Sequence, residues 1–337
     1  MFMFDKDKYG RFNDVKIGMS ITRPALVISV AENMCKGSQP KPFVKLTFSD
    51  GFSEITAVMF CSAASLAEKN ITDNTVVDVI LIAVDYQGAR SFKIVDIASC
   101  ADKKIVPEDF TRLPPIPLDD MYKEIWAMVK GCAREEVEDV KPIAELTLRI
   151  LGEKRERYMS SSAAIRMHHN MLGGLIYHSY RMVKMADEVC NVYDILDREL
   201  MICGAALHDI GKIWEYDTKI SGVASMTRDG VFYGHLYMGA EYIRSFARRE
   251  ERYDKERVDM LAHMIASHHG VQEWGAVTTP AIPEALVLHF IDNMDSKIYM
   301  FEEAYASLQP GELSSDKNRG LNSTVYKPSY FKDKKWF

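Results

Sequence analysis

Three prolines within five residues, Leu113-Pro-Pro-Ile-Pro117, divide the chain into two parts with different hydrophobic periodicity. Proline fixes φ and removes a backbone donor, so neither a strand nor a helix continues through such a segment. We therefore predict a linker over residues 106–118, a first domain over residues 1–105 and a second over residues 119–306. The length of 337 residues suits two domains.

The first part is rich in short runs of β-branched and aromatic residues, separated by turn residues such as Asp50-Gly51. Such runs predict strands, and this number of strands in one small domain favours a small barrel. A two-residue turn at Asp50-Gly51 would pair Leu46 with Ile55 and Val44 with Ala57, with the apolar side chains on one face. The predicted strands are Ser20–Val30, Pro42–Phe48, Glu54–Phe60, Thr75–Val84 and Ser91–Ile97.

Beyond the prolines, from Leu118 to Tyr305, apolar residues recur at helical spacing, which predicts an all-α second domain. The predicted fold class is therefore α+β multidomain, a small β-barrel followed by a helical domain. Residues 307–337 lose the periodicity and form a basic-aromatic tail, which either is held at the surface or contacts nucleic acid. The predicted helices lie near 118–133, 139–153, 163–193, 197–211, 235–250, 254–268 and 282–306.

Composition narrows the class of protein. No stretch reaches the roughly 18 apolar residues of a membrane span, and the N-terminus has no signal pattern, so we expect a cytoplasmic protein without a membrane partner. The six cysteines form no CxxC pair, which argues against a disulfide framework and a cysteine zinc site. The net charge is −6, so a nucleic acid would have to bind in a local groove.

All nine histidines lie between residues 168 and 289, within the predicted helical domain. The pair His208-Asp209 follows an apolar helix and offers an imidazole and a carboxylate to one cation. The two oxygens of Asp209 could bridge to a second cation, because the ions of two-metal sites lie roughly 3.5–4 Å apart. This doublet is the strongest signal for chemistry in the sequence.

Further candidate ligands lie on other predicted helices. His178 follows two glycines, His235 follows Gly234, and His268 ends a helix, whereas Asp292 lies inside an apolar helix where a buried charge needs a partner. Each residue alone is more typical of a core or surface position than of a ligand. Together they predict a metal site formed by the ordered set His178, His208, Asp209, His235, His268 and Asp292.

The order of this set resembles the HD superfamily of metal-dependent phosphohydrolases, and His208-Asp-Ile-Gly-Lys212 is similar to its central doublet. The chain over roughly residues 10–305 more specifically resembles the YhaM-type 3′–5′ exoribonucleases, in which an OB-fold precedes the HD domain. The resemblance is carried by Pro42–Asp50, His168–Ser179, Ala205–Lys212, Gly234-His235, Ile265–Gly270 and His289–Asp295.

The resemblance implies that His178, His208, Asp209 and Asp292 hold one divalent transition metal, and that Asp209 bridges to a second held by His235 and His268. Manganese is the first expectation, with iron, cobalt and zinc as alternatives. Asp209 and Lys212 are the catalytic candidates, since Lys212 lies three residues after Asp209 and could contact phosphate or simply face solvent. Asp295 is expected to support the site or face solvent rather than bind metal.

Candidate substrate contacts lie in both domains: Arg166, His168, His169 and His269 in the helical domain, and Phe43 and Lys45 on the strand 2–3 face of the barrel. The predicted function is hydrolysis of single-stranded RNA, and of single-stranded DNA as a second substrate. Two alternatives remain open: a phosphohydrolase acting on a small nucleotide, and a non-catalytic nucleic-acid-binding protein. The sequence leaves the oligomeric state open, a homo-oligomer included.

Overall fold

The computed structural model describes residues 5–35, 40–86, 89–135, 140–164, 171–219, 222, 224–249, 252–314, 317–318 and 320–331. The described residues divide into two compact units, one formed by residues 1–112 with 304–337 and the other by residues 113–303. Among them, no helix is both long and apolar enough to span a membrane.

The first unit contains a closed, five-stranded barrel in the order β1-β2-β3-β5-β4. β1 closes the barrel by pairing antiparallel with both β2 and β4, and β3 pairs parallel with β5. This confirms the predicted small barrel and its OB-like character. The elements are β1 (Ser20–Met34), β2 (Pro42–Ser49), β3 (Glu54–Met59), α1 (Ala63–Ala67), β4 (Val76–Tyr86) and β5 (Ala89–Ser99).

The β2–β3 hairpin differs from the predicted one: Leu46 pairs with Ala57, two residues from the predicted partner Ile55. The loop has four residues because the buried Asp50 carboxylate accepts hydrogen bonds from the backbone of Phe52 at 2.8 Å and of Ser53 at 2.6 Å. A two-residue shift leaves each side chain on its face, since strand side chains alternate with period two. Val44 and Leu46 therefore still point into the barrel core.

The first part of the predicted linker is folded. Residues Pro107–Phe110 form a 3₁₀ turn, and the buried Phe110 packs against Leu26, Cys100 and Ile105 of the first unit. A proline at the start of this turn is compatible with a short helix, because the first helical N–H has no partner in any case.

The second unit is helical, as predicted, but also contains a small hairpin of β6 (Tyr216–Thr218) and β7 (Ala224–Met226) that the periodicity did not indicate. Strands of three residues are too short to show a period. The helices are α2 (Leu118–Gly131), α3 (Ile143–Glu153), α4 (Arg155–Ser160), α5 (Gly174–Cys190), α6 (Arg198–Leu207), α7 (Lys212–Glu215), α8 (Arg228–Ala247), α9 (Lys255–Ser267) and α10 (Pro283–Ser307).

Two predicted helix boundaries were wrong, and a third agrees with the structure. The helix expected from residue 163 begins at Gly174, because Gly173 has a left-handed φ of 75°. The helix expected over 197–211 ends at Leu207, and a turn separates it from α7. The helix expected from residue 235 does begin there, directly after the non-helical Gly234, and a shorter helical segment precedes it from Arg228, where the Thr227 side chain accepts the backbone N–H of Gly230.

The described part of the C-terminal tail is folded within the first unit. The backbone N–H of Gly311 donates to Lys327 and that of Ser314 donates to Val325, which pairs two short segments. The buried Lys327 ammonium donates to the carbonyls of Tyr305 and Leu308 near the end of α10. Such a cation satisfies carbonyls that lack a helical partner. The final six residues of the tail lie outside the described residues.

Candidate metal centre

The six residues predicted as ligands lie together in the helical unit, although they come from five helices or helix ends. His178 is in the second turn of α5, His208-Asp209 follows the last residue of α6, and His268 follows the last residue of α9. His235 comes directly after Gly234, which interrupts α8 with a φ of 67°, and Asp292 lies within α10. The helices thus converge on one buried point.

One half of the cluster is built around His178. Its Nε2 lies 3.0 Å from Nε2 of His208 and 3.1 Å from Oδ1 of Asp292. Oδ2 of Asp209 lies 3.3 Å from Nε2 of His208 and 3.8 Å from Nε2 of His178. These nitrogen and oxygen atoms face one another without an intervening side chain, as ligands around one cation would.

The other half is reached through the second oxygen of Asp209. Oδ1 of Asp209 lies 3.5 Å from Nε2 of His235 and 3.7 Å from Nε2 of His268. The His269 side chain joins this half, because ligand atoms of His235, His268 and His269 lie within 4.8 Å of one another. Asp209 therefore faces a different set of histidines with each oxygen, which is the arrangement of a bridging carboxylate.

In all four of the histidines predicted as ligands, Nδ1 is directed at an acceptor and Nε2 faces the cluster. For His208 and His268 the acceptor is the carbonyl three residues earlier, Ala205 at 2.9 Å and Ile265 at 2.8 Å. The other two face carboxylates: Nδ1 of His178 is hydrogen-bonded to Asp295 at 2.7 Å, and Nδ1 of His235 lies 2.9 Å from Glu215 in an ion-pair contact that lacks hydrogen-bond geometry. An Nδ1 proton held by a hydrogen bond, as in His178, His208 and His268, leaves the Nε2 lone pair for a metal.

The role of Glu215 was missed by sequence reasoning. The signal available was a glutamate between apolar residues, Ile213-Trp-Glu215, close after the His-Asp doublet, but nothing in the sequence links it to His235 twenty residues later. Asp295, in contrast, was expected to support the site or face solvent. The structure buries it, with its carboxylate also 2.5 Å from Nε of Arg181.

The cluster fits a divalent cation on two observations. First, Oδ1 of Asp209 and Nε2 of His235 are buried and have no hydrogen-bond partner among the described residues. Buried polar atoms without a partner are costly, so a ligand is expected to satisfy them. Second, imidazole nitrogens with carboxylate oxygens suit manganese, iron, cobalt or zinc. The donor set thus agrees with the predicted class of metal.

The protonation states also suit a cation. Burial raises the pKa of Asp209, but Lys212 and His208 outweigh it and hold that pKa well below its usual range. Burial lowers the pKa of His268 well below its usual value. Burial also lowers the pKa of His178, yet its hydrogen bonds to Asp292 and Asp295 outweigh this and raise the pKa to about 10. A cation at Nε2 of His178 would therefore displace a proton.

Lys212 lies at the cluster for a different reason than predicted. The helix of His208 does not continue to it; a turn follows, and Lys212 begins α7. Its Nζ lies 2.7 Å from Oδ2 of Asp209 and is mostly buried, so it pairs with the bridging carboxylate. The alternative that Lys212 simply faces solvent at a helix end is therefore wrong.

Two glycines allow this geometry. A Cβ on Gly211 would lie 2.0 Å from the carbonyl oxygen of His235, so only glycine lets α8 approach the turn after the doublet. The positive φ of Gly234 turns the backbone so that the His235 N–H donates to Oε1 of Glu215 at 3.1 Å. Backbone and ring of His235 are therefore both held by Glu215.

The remaining candidates are the predicted substrate contacts. Arg166, His168 and His169 fall outside the described residues. Nδ1 of His269 donates to the carbonyl of Trp274 at 2.8 Å. Phe43 and Lys45 belong to the first unit, on the face of β2 opposite the barrel core.

Comparisons with known proteins agree with this geometry. Residues 175–297 match the family model of the HD domain. The chain is 30% identical over 318 residues to the 3′–5′ exoribonuclease YhaM of Shouchella clausii, covering 94% of this chain and 96% of that protein. It is 31% identical over 319 residues to YhaM of Bacillus subtilis, covering 94% and 98%.

A third relative, YhaM of Bacillus velezensis, is 29% identical over 316 residues, covering 94% and 97%. A solved structure of a replication protein A heterotrimer bound to ssDNA matches 27% of this chain and 65% of its own chain, at 20% identity and a TM-score of 0.19, too low to indicate a shared fold.

An HD domain implies divalent metal binding, and the two groups of His and Asp side chains are compatible with it. The match to the curated relatives extends over nearly the whole of both chains, barrel and helical unit included. The chain is therefore a hydrolase with an HD domain, and it belongs to the YhaM family of 3′–5′ exoribonucleases.

Proposed function

We propose that this chain is a metal-dependent 3′–5′ exoribonuclease that hydrolyses the phosphodiester bonds of single-stranded RNA, with single-stranded DNA as a second substrate. The observation that carries the proposal is the position of Asp209, whose two oxygens face two different groups of histidines. The substrate class and the 3′ polarity come from the relatives named 3′–5′ exoribonuclease YhaM.

The residues that would hold the metals follow from the two halves of the cluster. His178, His208 and Asp292 with Oδ2 of Asp209 would bind one ion, and His235 and His268 with Oδ1 would bind the other. Manganese is our first expectation, ahead of iron, cobalt and zinc. Two such ions supply Lewis-acid stabilisation of the charge on the phosphodiester oxygens and lower the pKa of water.

Lys212 supplies a positively charged side chain at the cluster, with its Nζ 2.7 Å from Oδ2 of Asp209. Its flexible four-carbon stem lets the ammonium shift from Asp209 to a phosphate oxygen when substrate and metal enter. We propose that it then neutralises phosphate charge at the reacting centre. His269, at the edge of the cluster, is proposed to contact the substrate, together with Arg166, His168 and His169.

The barrel is proposed to grip the strand. Its exposed Lys45 lies on the face of β2 that also carries Phe43, and the Phe43 ring lies 6.2 Å from that of the exposed Phe60. A pair of aromatic rings beside a lysine suits base stacking together with phosphate pairing. Packing against a protein surface would use the same types of residue, so RNA binding has to be tested.

A 5′-labelled single-stranded RNA tests the reaction itself. We expect a ladder that shortens from the 3′ end, mononucleotide products, and no cleavage of a circular RNA of the same sequence. Asp209→Asn should abolish turnover, because the amide cannot bridge two cations. Internal cuts in the circular RNA would refute the exonuclease assignment.

Binding at several salt concentrations separates the alternatives. For a single-stranded polymer, log affinity falls with log salt by roughly 0.7 per phosphate neutralised, whereas a small nucleotide shows a shallow dependence. Lys45→Ala should reduce the magnitude of that slope by about 0.7, the contribution of one phosphate contact. A phosphohydrolase of small nucleotides would show neither effect, and a non-catalytic binder would show both without products. The cytoplasmic location and the oligomeric state stay predictions.

A further inference from the structure

The candidate centre is most exposed on the side of Asp292. The side chain of Asp292 is 19% exposed, that of His235 is 10% exposed, and those of His178, Asp209 and His268 are at most 2% exposed. The half-buried His269 is a further partly open residue at the cluster. Among the described residues, the surface around Asp292 and His269 therefore offers a substrate an approach to the centre from solvent.

An exposed tryptophan lies on that surface. The carbonyl of Trp274 lies 2.8 Å from Nδ1 of His269, and its indole ring lies 5.7 Å from the ring of His289. His289 precedes Asp292 by three residues on α10, so both point to similar sides of the helix. Trp274 is 57% exposed, although a large aromatic ring is normally buried.

The turn that carries Trp274 is fixed by its own hydrogen bonds. The Trp274 N–H donates to the Val271 carbonyl at 3.1 Å, and the Gly275 N–H donates to the Gln272 carbonyl at 2.8 Å. Nδ1 of His289 donates to the carbonyl of His268 at 2.9 Å, at the end of α9 that leads into this turn. The backbone that carries the indole is therefore fixed next to His269.

We propose that Trp274 is the surface on which the terminal nucleobase of the substrate strand stacks, so that the 3′-terminal phosphodiester is placed at the metal centre. This inference rests on the proposed function and names a positioning residue for it. A nucleotide joins its base to its phosphate through one sugar, so a base on Trp274 keeps its phosphate near His269 and Asp292. Stacking uses the face of a base and not its hydrogen-bonding edge, which makes the site tolerant of sequence.

The test combines a change in the protein with a change in the substrate. We compare wild type, Trp274→Ala and Trp274→Phe on two single-stranded RNAs, one intact and one with an abasic 3′-terminal nucleotide. Tyr193→Ala is the matched control, because Tyr193 is equally exposed at 57% but follows the far end of α5. That end lies about 18 Å along the helix from His178.

For intact RNA, Trp274→Ala should raise the half-saturating concentration about 10-fold, with a smaller change in the maximal rate. For the abasic RNA the same substitution should have little effect, because no base remains to stack. Trp274→Phe should recover most of the loss, and Tyr193→Ala should behave as wild type. An equal loss on both RNAs in Trp274→Ala, or a wild type that does not distinguish them, would overturn the proposal.

A binding measurement separates this inference from the proposed function. Titration with adenosine 5′-monophosphate should quench tryptophan emission in wild type and lose that quench in Trp274→Phe, whether or not RNA is cleaved. If wild type cleaves RNA but the quench is the same in Trp274→Phe, the stacking inference fails alone. If the quench depends on Trp274 but no RNA is cleaved, base stacking on Trp274 stands and the exonuclease assignment fails.

Discussion

The carboxylate of Glu215 lies 2.9 Å from Nδ1 of His235, and its other oxygen accepts the backbone N–H of the same residue at 3.1 Å. Asp295 has the corresponding position in the other half of the cluster, 2.7 Å from Nδ1 of His178. Each half therefore has one histidine supported by a carboxylate from another element. Negative charge behind an imidazole raises its basicity and its affinity for a cation.

Glu215→Gln should weaken the ion held by His235 and His268, and leave the other ion in place. The amide keeps an oxygen for the His235 N–H but loses the charge, so we expect roughly a 10- to 100-fold loss of affinity for one of two ions. Calorimetric titration with manganese, on protein from which a chelator has removed the metal, measures both affinities. Asp295→Asn should show the reverse pattern, with the ion near His178 weakened.

A control for general destabilisation is Glu199→Gln, since Glu199 is buried but pairs with Arg257 away from the cluster. It should keep both affinities. Two unchanged affinities in Glu215→Gln would show that this carboxylate only supports the fold.

Removal of single ligands should separate the two metal positions. His235→Ala should retain about one ion per chain, because His178, His208 and Asp292 remain with Oδ2 of Asp209. Asp209→Ala should retain little metal, because this carboxylate faces both halves. Elemental analysis of dialysed variants measures the ions, and circular dichroism checks the fold. Wild-type metal content and activity in His235→Ala would exclude His235 as a ligand.

Gly211→Ala should disrupt the centre without touching a ligand. Its Cβ would lie 2.0 Å from the His235 carbonyl, so α8 must move, and overpacking of this kind costs about 1–3 kcal/mol of unfolding free energy. The midpoint of urea denaturation and the metal content should both fall. Gly152→Ala is the control: its Cβ would meet only the Trp126 ring at 3.8 Å, so stability should stay level or rise by up to about 1 kcal/mol.

Metal should raise the thermal stability of the helical unit. A ligand that binds only the folded state adds about 2.7 kcal/mol at a hundred times its dissociation constant. We expect the melting temperature of metal-free protein to rise with added manganese until the site is filled. Asp209→Ala should not respond. A melting temperature that is independent of manganese in wild type would argue against a metal centre at these residues.

The sequence predicted the barrel and the helical unit because both depend on periodicity, which is a local property. The predicted length of the β2–β3 loop was wrong, because that length depends on one side chain. The Asp50 carboxylate accepts hydrogen bonds from the backbone of Phe52 and Ser53. No period records such a contact. The prediction of which β2 and β3 side chains face the core was still correct, because the predicted strand pairing was shifted by two residues and side chains alternate with period two.

The six candidate ligands are also brought together as expected, although their metal binding remains a prediction. The supporting contacts could not be read in the same way, because Glu215 meets His235 only through the kink at Gly234 and the close packing at Gly211. Trp274 was not singled out either, since exposure of a tryptophan appears only in the folded chain. The order of histidines and aspartates in the sequence thus indicated which side chains converge, whereas tertiary packing determined how each side chain is oriented.

The four histidines differ in when their orientation can form during folding. The rings of His208 and His268 are each directed by the carbonyl three residues earlier, so a helix end alone orients them. The rings of His178 and His235 require Asp295 from α10 and Glu215 from α7, which only the assembled unit provides. During refolding, a cation should therefore meet two oriented imidazoles early, and gain its full affinity only when α10 and α7 have docked.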